Sequence, residues 1–354
     1  MIYRETGQFR TTYAADQAIF RVRLDRLGIA AILAIAWLAV PLLTSDYFLR
    51  AIMVPFLILA LGAIGLNLLI GYCGQISLGT GAFMAVGAYA AYNLALRLPE
   101  IPLVVTFLLA GGFAALVGLA FGIPSLRIKG LYLAVATLAA QFFVDWLFSR
   151  VAWFTNNTSS GSVTAPALDV FGWIVDAPAE RYWLCLGFVC VFAWIAKNLV
   201  RSRVGRSWMA IRDMDIAAEI IGIRPMTAKL SAFAASSFVV GVAGALWAFV
   251  HLGSWEPLAF SIDISFRLLF MVIIGGLGSI LGCFLGAGFI TVLPLALNQA
   301  PQLVGMSLST DVIAHLEAMI FGALIVVFLI LEPHGLARLW VTFKEKLRLW
   351  PFPY

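Results

Sequence analysis

The passage RSRVGRSWMAIRDMDIAAEIIGIRPMTAK, residues 201–229, separates two long apolar blocks and combines charge with helix-forming residues. Its six basic and three acidic side chains are too costly to bury in lipid, so the passage protrudes into water. Asp213 is predicted to cap a short helix that ends at Gly222 and Pro225. The apolar face of this helix consists of three isoleucines at helical spacing, namely Ile216, Ile220 and Ile221. A helix of this kind either docks on a partner or lies in solvent as part of a loop.

The composition on both sides of this passage is that of a membrane protein. Of the 354 residues, 62% are hydrophobic and 12% are charged, whereas soluble proteins have about 25% charged residues. Apolar runs near or above the roughly 20 residues that cross a bilayer recur along the chain. They predict an all-α polytopic membrane fold with about ten transmembrane helices, at residues 27–43, 48–70, 78–97, 102–123, 130–149, 182–200, 229–250, 264–278, 281–298 and 312–332. The eighth and ninth runs are short, and the glycines between them are equally compatible with a re-entrant hairpin.

The distribution of lysine and arginine orients these spans. With both termini in the cytoplasm, 18 of the 23 basic residues lie on the cytoplasmic side, in agreement with the positive-inside rule. The chain then divides into a cytoplasmic N-terminal tail (1–26), a transmembrane domain (27–332) and a cytoplasmic C-terminal tail (333–354). Within the transmembrane domain, 201–229 forms a cytoplasmic loop and 150–181 forms the longest external loop. The external loop either lines an outer vestibule or is a plain surface loop.

A glycine-rich break between the second and third spans contains the first group of candidate site residues. The segment GYCGQISLGTGAF places polar side chains among glycines at membrane depth or at its edge. Irregular backbone is tolerated there only where protein or a water-filled cavity surrounds it. A broken helix that lines a substrate path and close helix packing are both compatible with this pattern. The candidate path residues are Gly74, Gln75, Ser77, Gly79 and Thr80.

Other glycines match the spacing that lets two helices approach closely. Gly118 with Gly122, Gly278 with Gly282, and Gly282 with Gly286 are each four residues apart. Helix packing is the favoured interpretation of these pairs.

Three ionisable residues fall inside predicted spans, where a charge is by default a sign of function. They are Asp145, Arg267 and Glu317. In the predicted topology all three lie within about two turns of the outer end of a span, so their side chains can stay hydrated. We therefore predict that they face an outer vestibule, and that no proton relay crosses the membrane.

The sequence lacks the patterns of several chemistries. No G-x-x-x-x-G-K-[ST] phosphate loop is present, so the chain alone does not hydrolyse ATP. The histidines are too few and too scattered for a metal site, and no arrangement of serine, histidine and aspartate is evident. We expect a non-catalytic protein of the lipid bilayer that itself binds no cofactor, metal or nucleic acid. Its energy must then come from a partner that contacts the cytoplasmic loop.

Four blocks of the sequence resemble the LivM-type permeases of high-affinity branched-chain amino acid ABC importers. The blocks are GLNLLIGYCGQISLGTGAFMAVGAY, IPSLRIKGLYLAVATLA, SRVGRSWMAIRDMDIAAEIIGI and FRLLFMVIIGGLGSILGCFLGA, and they follow the family's order over most of residues 50–300. The resemblance implies a type II-like ABC importer permease in a bacterial inner membrane. It also implies three kinds of partner: a homologous LivH-like permease as the other half of a heterodimer, two cytoplasmic ATPase subunits that hold ATP and Mg, and a periplasmic substrate-binding protein.

The resemblance also assigns roles within the cytoplasmic loop. The stretch from Asp213 to Gly222 corresponds to the coupling helix that fits a groove on the ATPase, with Glu219 and Gly222 at the family's acidic and glycine positions. Gly222 is expected to adopt the left-handed conformation that ends a helix. Arg206 and Arg212 are expected to pair with acidic groups on the ATPase, and the isoleucines to fill its groove. Closure of the ATPase dimer then moves this helix as a rigid lever and shifts the spans between inward and outward openings.

Two departures from the family pattern keep the substrate open. Thr80 stands where the family often has histidine, glutamine or tyrosine, and the external loop reads TNNTSSGS in place of T-G-G-S-x-G-L. Leucine, isoleucine and valine are the family's commonest substrates, whereas urea, short amides and small carboxylates are carried by relatives. A stand-alone secondary transporter or channel is the rival class. A membrane enzyme that uses Asp145, Glu317 or His315 ranks last.

Overall fold

The computed structural model describes residues 11–12, 23–125, 132–158, 162–170, 172–303, 316, 319–320, 322–324, 326–328, 330 and 335–349. Its helices are α1 (Arg23–Ala34, continued to Leu43 through a π turn), α2 (Asp46–Cys73), α3 (Thr80–Arg97), α4 (Leu103–Ser125), α5 (Tyr132–Arg150), α6 (Pro178–Arg201), α7 (Arg203–Asp213), α8 (Asp215–Ile220), α9 (Pro225–Leu252), α10 (Ile262–Gly275), α11 (Ile280–Leu303) and α12 (Gly335–Leu349). Its strands are β1 (Val163–Thr164), β2 (Asp169–Val170), β3 (Trp173–Ile174) and β4 (Ser254–Trp255).

Eight helical segments of the described residues are long and apolar enough to cross a membrane, and they coincide with eight of the ten predicted spans. The prediction of a polytopic all-α membrane protein is thereby confirmed. The eighth span combines α10 with the short 3-10 turn Pro257–Phe260 in front of it. The 14 residues of α10 alone rise about 21 Å, less than the roughly 30 Å of a hydrocarbon core. Of the 21 residues of the tenth predicted span, 312–332, 11 lie outside the described residues.

The third predicted span forms α3, which is not among the eight because its sequence is more polar. It packs against α4, α5, α9 and α10. Every residue from Thr80 to Tyr89 is buried, and the polar Asn93 one turn later is buried too. A helix that is enclosed by other helices touches little lipid, and Asn93 Nδ2 here donates to the carbonyl oxygens of Tyr89 and Phe154.

Close backbone approach holds several of these helices together. A β-carbon on Gly118 of α4 would lie 2.5 Å from Ser237 Oγ of α9. One on Gly282 of α11 would lie 2.5 Å from the carbonyl oxygen of Gly275 on α10. Because real β-carbons do not approach other atoms this closely, only glycine fits at these contacts. The packing interpretation is confirmed for the pairs Gly118–Gly122 and Gly282–Gly286, whereas Gly278 lies in the loop between α10 and α11.

The two ends of the bundle are built differently. At one end, called the coupling end below, lie α7, α8 and α12, and Lys344 Nζ of α12 is 2.6 Å from Asp25 Oδ1 at the start of α1. At the opposite end β1 pairs with β4, and the Ala165 N–H donates to the carbonyl oxygen of Gly253 at 2.8 Å. The predicted external loop 150–181 is therefore attached to the connection between α9 and α10.

Candidate coupling segment and buried polar site

The polar passage 201–229 folds into two consecutive helices at the coupling end. The first, α7, begins after Ser202, whose Oγ accepts the Gly205 N–H at 3.4 Å. The buried Trp208 of α7 donates from its Nε1 to Ser231 Oγ on α9 at 2.9 Å. α7 is thus fixed to a membrane-spanning helix, and it determines where α8 lies.

The start of α8 differs from the prediction. Asp213 is the last residue of α7, and its carboxylate pairs with the Arg212 guanidinium at 2.9 Å, so it does not cap a helix. Met214 holds the N-cap position in an extended conformation, with no side-chain hydrogen bond. α8 is attached instead through Asp215, whose Oδ2 accepts a 2.6 Å bond from Lys229 Nζ on α9. The prediction of an Asp213 cap is wrong because α7 extends through Asp213, which leaves Met214 at the N-cap position of α8.

The two isoleucines of α8, and Ile221 directly after it, point into solvent. Ile216, Ile220 and Ile221 are 72%, 81% and 74% exposed. Ala218, on the other face of α8, is buried toward α9. Large apolar side chains that are exposed together on an otherwise charged surface mark an interaction site. The predicted apolar face is therefore present at the surface.

Gly222 ends α8 in the predicted conformation. Its φ of +90° is left-handed, and its N–H donates to the carbonyl oxygen of Glu219 at 3.0 Å. The Ile223 N–H donates to the carbonyl oxygen of Ala218, also at 3.0 Å. This pair of bonds is the Schellman motif, which satisfies carbonyl groups at a helix end. The cap prediction is confirmed, and the Glu219 side chain beside it is exposed.

The two arginines that were predicted to face a partner have different surroundings. Arg206 is exposed, and its Nη1 donates to the carbonyl oxygen of Arg201 at 2.9 Å. Arg212 reaches α2, where its Nη1 donates to the carbonyl oxygen of Gly71 at 2.8 Å. The Arg212 side chain also lies against Gly74, whose φ of +71° ends α2. The structure thus brings the coupling candidate Arg212 to the path candidate Gly74.

The break between α2 and α3 runs into the protein interior. The candidate path residues become more buried in chain order, from the exposed Gly74 and half-buried Gln75 to the buried Ser77, Gly79 and Thr80. The Leu78 N–H donates to Thr137 Oγ1 on α5 at 3.0 Å. Thr80 Oγ1 is buried and has no hydrogen-bond partner among the described residues. The break in the helix is confirmed, and its role as a substrate path stays a prediction.

A buried polar cluster surrounds Gln141, which lies halfway along α5. Its Oε1 accepts the Ala82 N–H at 2.7 Å and the Ser265 hydroxyl at 3.2 Å. Its Nε2 donates to the carbonyl oxygen of Phe260 at 2.8 Å and to Asp145 Oδ1 at 3.2 Å. We call these five residues the Gln141 cluster. α5 is a full-length span, and Gln141 lies at its midpoint. Because the first turns of α3 and α10 both contact Gln141, these two helices begin near the middle of the bundle.

Gln141 and Ser265 were not predicted from the sequence. The available signal was the spacing of Gln141 and Asp145, which lie four residues apart on one face of an apolar helix. Ser265 offered no local signal, because its partners Gly81 and Gln141 are far away in sequence.

The three ionisable residues that were predicted to line an outer vestibule lie in different surroundings. Asp145 belongs to the Gln141 cluster. Arg267 is exposed on α10, two residues beyond Ser265. Because α10 begins at the Gln141 cluster, Arg267 lies deeper in the bundle than the predicted position near the outer end. Glu317 lies outside the described residues.

Comparison with known proteins supplies the family. The model of the family described as "Branched-chain amino acid transport system / permease component" matches residues 48–329. The chain belongs to this family. Its match covers every membrane-spanning helix of the described structure except α1, and it includes α7, α8 and the Gln141 cluster.

Individual relatives of this permease agree with the family. One relative is the high-affinity branched-chain amino acid transport system permease protein LivM of Escherichia coli (strain K12). The two sequences are 29% identical over an alignment of 328 residues, which covers 86% of this chain and 72% of the relative. The protein of the same name from Salmonella typhimurium (strain LT2) is 29% identical over 346 residues, 91% of this chain and 76% of the relative. A probable LivM of Methanocaldococcus jannaschii is 24% identical over 239 residues, 66% of this chain and 68% of the relative. No solved structure matches the chain.

These matches confirm the LivM-type resemblance. The protein is a multi-pass inner-membrane permease whose relatives are transport subunits.

Proposed function

We propose that this permease is the membrane-spanning subunit of an ABC importer that moves leucine, isoleucine and valine into the cell. The exposed isoleucine face of α8 is the observation that carries the proposal. An apolar helix face held in a fixed position suits a groove on a partner. Two anchors hold it here, since α7 is bonded to α9 through Trp208 and α8 is bonded to α9 through Asp215. The LivM relatives support the substrate class.

The partners follow from this arrangement. Two cytoplasmic ATPase subunits bind at the coupling end, with Glu219 and Arg206 exposed beside the isoleucines. They hold ATP and Mg and perform all hydrolysis, so this chain has no catalytic role. A homologous LivH-like permease forms the other half of the translocation unit, and a periplasmic binding protein delivers the substrate.

The proposed substrate path passes the break between α2 and α3 and the Gln141 cluster. Transporters place their binding sites where discontinuous helices begin near the middle of the membrane. Both α3 and α10 begin at the Gln141 cluster, and the hydroxyl of Thr80 is a buried polar group at the same point. The exposed Arg267 lies on the next part of α10. These features support a path along α3 and α10.

Uptake by the reconstituted complex tests the proposal. The permease, its partner permease, the ATPase subunits and the binding protein are placed in proteoliposomes, and the uptake of labelled leucine is measured with and without ATP. We expect uptake that stops when the ATP site of the ATPase is inactivated. Uptake that persists with the inactivated ATPase, or without any ATPase, indicates a secondary transporter or channel and refutes the importer. If urea, short amides or small carboxylates compete with leucine for uptake and valine does not, the proposed substrate class is refuted.

A further inference from the structure

Three distant parts of the chain are bonded together at the coupling end of α2. Arg212, at the end of α7, donates to the carbonyl oxygen of Gly71 at 2.8 Å. Asn67, one turn earlier on α2, accepts the Gly278 N–H at 2.9 Å and donates to the carbonyl oxygen of Ser279 at 3.1 Å. Gly278 and Ser279 form the loop between α10 and α11. We call these five residues the clasp.

The clasp is tightly fitted. A β-carbon on Gly71 would overlap Asn67 Oδ1 and the Gly278 nitrogen. One on Gly278 would lie 3.3 Å from Arg212 Nη1. Asn67 is 1% exposed, so its amide depends on these bonds rather than on water. Parts fitted this closely move together, because protein interiors are close-packed and transmit strain.

The contact between Arg212 and Gly71 also has an electrostatic basis. The last carbonyl groups of a helix lack partners within the helix and carry the negative end of its dipole. Gly71 is in the last turn of α2, and the Gln75 N–H donates to Leu69 and not to Gly71. A guanidinium is therefore a strong partner for the Gly71 carbonyl group. This bond joins the coupling segment to α2, the central helix of the bundle.

On its other side the clasp leads to the Gln141 cluster. α10 begins near the middle of the bundle, where Ser265 accepts the Gly81 N–H at 2.7 Å and donates to Gln141 at 3.2 Å, and it ends at the clasp. Gly275 of α10 is in backbone contact with Gly282 of α11, so the two helices are joined beside the loop. A displacement of the loop is therefore carried by α10 to the first turn of α3.

We infer that Arg212 and Asn67 are positioning residues that couple movement of α8 to movement of α10, and that Arg212 acts through its bond to Gly71 rather than by pairing with the ATPase. Arg212 makes the coupling segment follow α2, and Asn67 makes the loop between α10 and α11 follow the same helix. Both act through other residues, Arg212 through Gly71 and Asn67 through Gly278 and Ser279. The inference rests on the proposed function, because it requires that a partner moves α8.

The test separates coupling from assembly. Arg212→Met keeps an apolar stem to pack against Gly74 but cannot donate a hydrogen bond. In proteoliposomes containing the whole complex, we expect the amount of leucine taken up per ATP hydrolysed to fall about five- to tenfold. Assembly with the ATPase and the basal rate of hydrolysis should stay within about twofold of the unaltered complex. Arg212→Lys restores a donor for Gly71 and should recover at least about half of the lost uptake per ATP.

Two further variants make the test specific. Asn67→Ala should lower uptake per ATP as Arg212→Met does, and the double variant should be no worse than the more severe single one, since both act through one unit. Arg203→Ala is the control, because Arg203 is an exposed arginine of the same helix that lies outside the clasp. It should leave uptake per ATP unchanged.

The outcomes are distinguishable. Unaltered uptake per ATP in Arg212→Met overturns the inference, and so does a loss of ATPase assembly, because Arg212 is then a docking or folding residue. If Arg212→Met does not reach the membrane, Arg212→Leu, which also lacks a hydrogen-bond donor, is measured in its place, and full uptake per ATP in that variant overturns the inference. If the unaltered complex itself shows no ATP-dependent uptake, the proposed function fails before the clasp is tested.

Discussion

Replacing Gly222 with valine should release α8 from its partner while the bundle stays folded. Gly222 has φ +90°, which a β-branched side chain avoids, yet a β-carbon there would meet no atom within 4 Å. The cost therefore comes from the backbone and amounts to about 1–3 kcal/mol. α8 has six residues, too few to be stable as an isolated helix, so its last turn opens rather than tolerate the strain.

The magnitude follows from the loss of the folded turn. Opening breaks the bonds from Gly222 to Glu219 and from Ile223 to Ala218, and it displaces Ile221. A cost of about 1–3 kcal/mol lowers the population of the docking conformation, and hence the affinity for the ATPase, by about five- to 150-fold. The transmembrane helices do not contact the Gly222 β-position, so their stability should not change.

Titration of the purified ATPase subunits onto the detergent-solubilised permease measures this affinity. Gly172→Val is the matched control, because Gly172 has φ +85° and equally open surroundings but lies between β2 and β3 at the opposite end. It introduces comparable strain and should leave the affinity unchanged. Unaltered affinity in Gly222→Val refutes the reasoning, and so does an equal loss in Gly172→Val.

Three further predictions address the docking face, the buried cluster and the anchor of α7. Ile220→Asp should abolish co-purification with the ATPase, since burying an unpaired carboxylate costs several kcal/mol, whereas the same change at Ile174, which is 62% exposed on β3, should not. Gln141→Leu leaves buried backbone groups without partners at about 1–3 kcal/mol each, so thermal unfolding in detergent should shift to lower temperature; an unchanged Tm would contradict the cluster. Trp208→Ala removes a buried ring at a cost of about 3–5 kcal/mol, and size-exclusion chromatography should show less folded protein.

Features that depend on local pattern were predicted well from the sequence. The membrane spans follow from apolar runs of sufficient length, and eight of them appear with boundaries shifted by a few residues. The Gly222 cap and the isoleucine face of α8 also depend on short-range spacing. In each case the physical cause lies within one or two helical turns, so one sequence is enough.

Features that depend on distant contacts were missed or misplaced. The partner of Arg212 is 141 residues away, and Gln141 donates to a carbonyl group 119 residues away. Asp213 is a residue type that often caps helices, but α7 continues through it and α8 begins only after Met214. The depth of Arg267 could not be read from hydropathy, because it depends on where the non-helical chain before α10 ends.

The enclosure of α3 has a consequence for how the protein is made. Insertion from the ribosome into lipid depends on the hydrophobicity of each segment as it emerges, and α3 is less apolar than the spans around it. Its polar side chains Tyr89 and Asn93 are covered in part by elements that are synthesised much later, including β4. α3 should therefore enter the bilayer together with α2 and α4 rather than alone. In truncated chains that stop before α9, α3 should be only loosely packed. Helices that are synthesised later therefore stabilise a helix that is synthesised earlier.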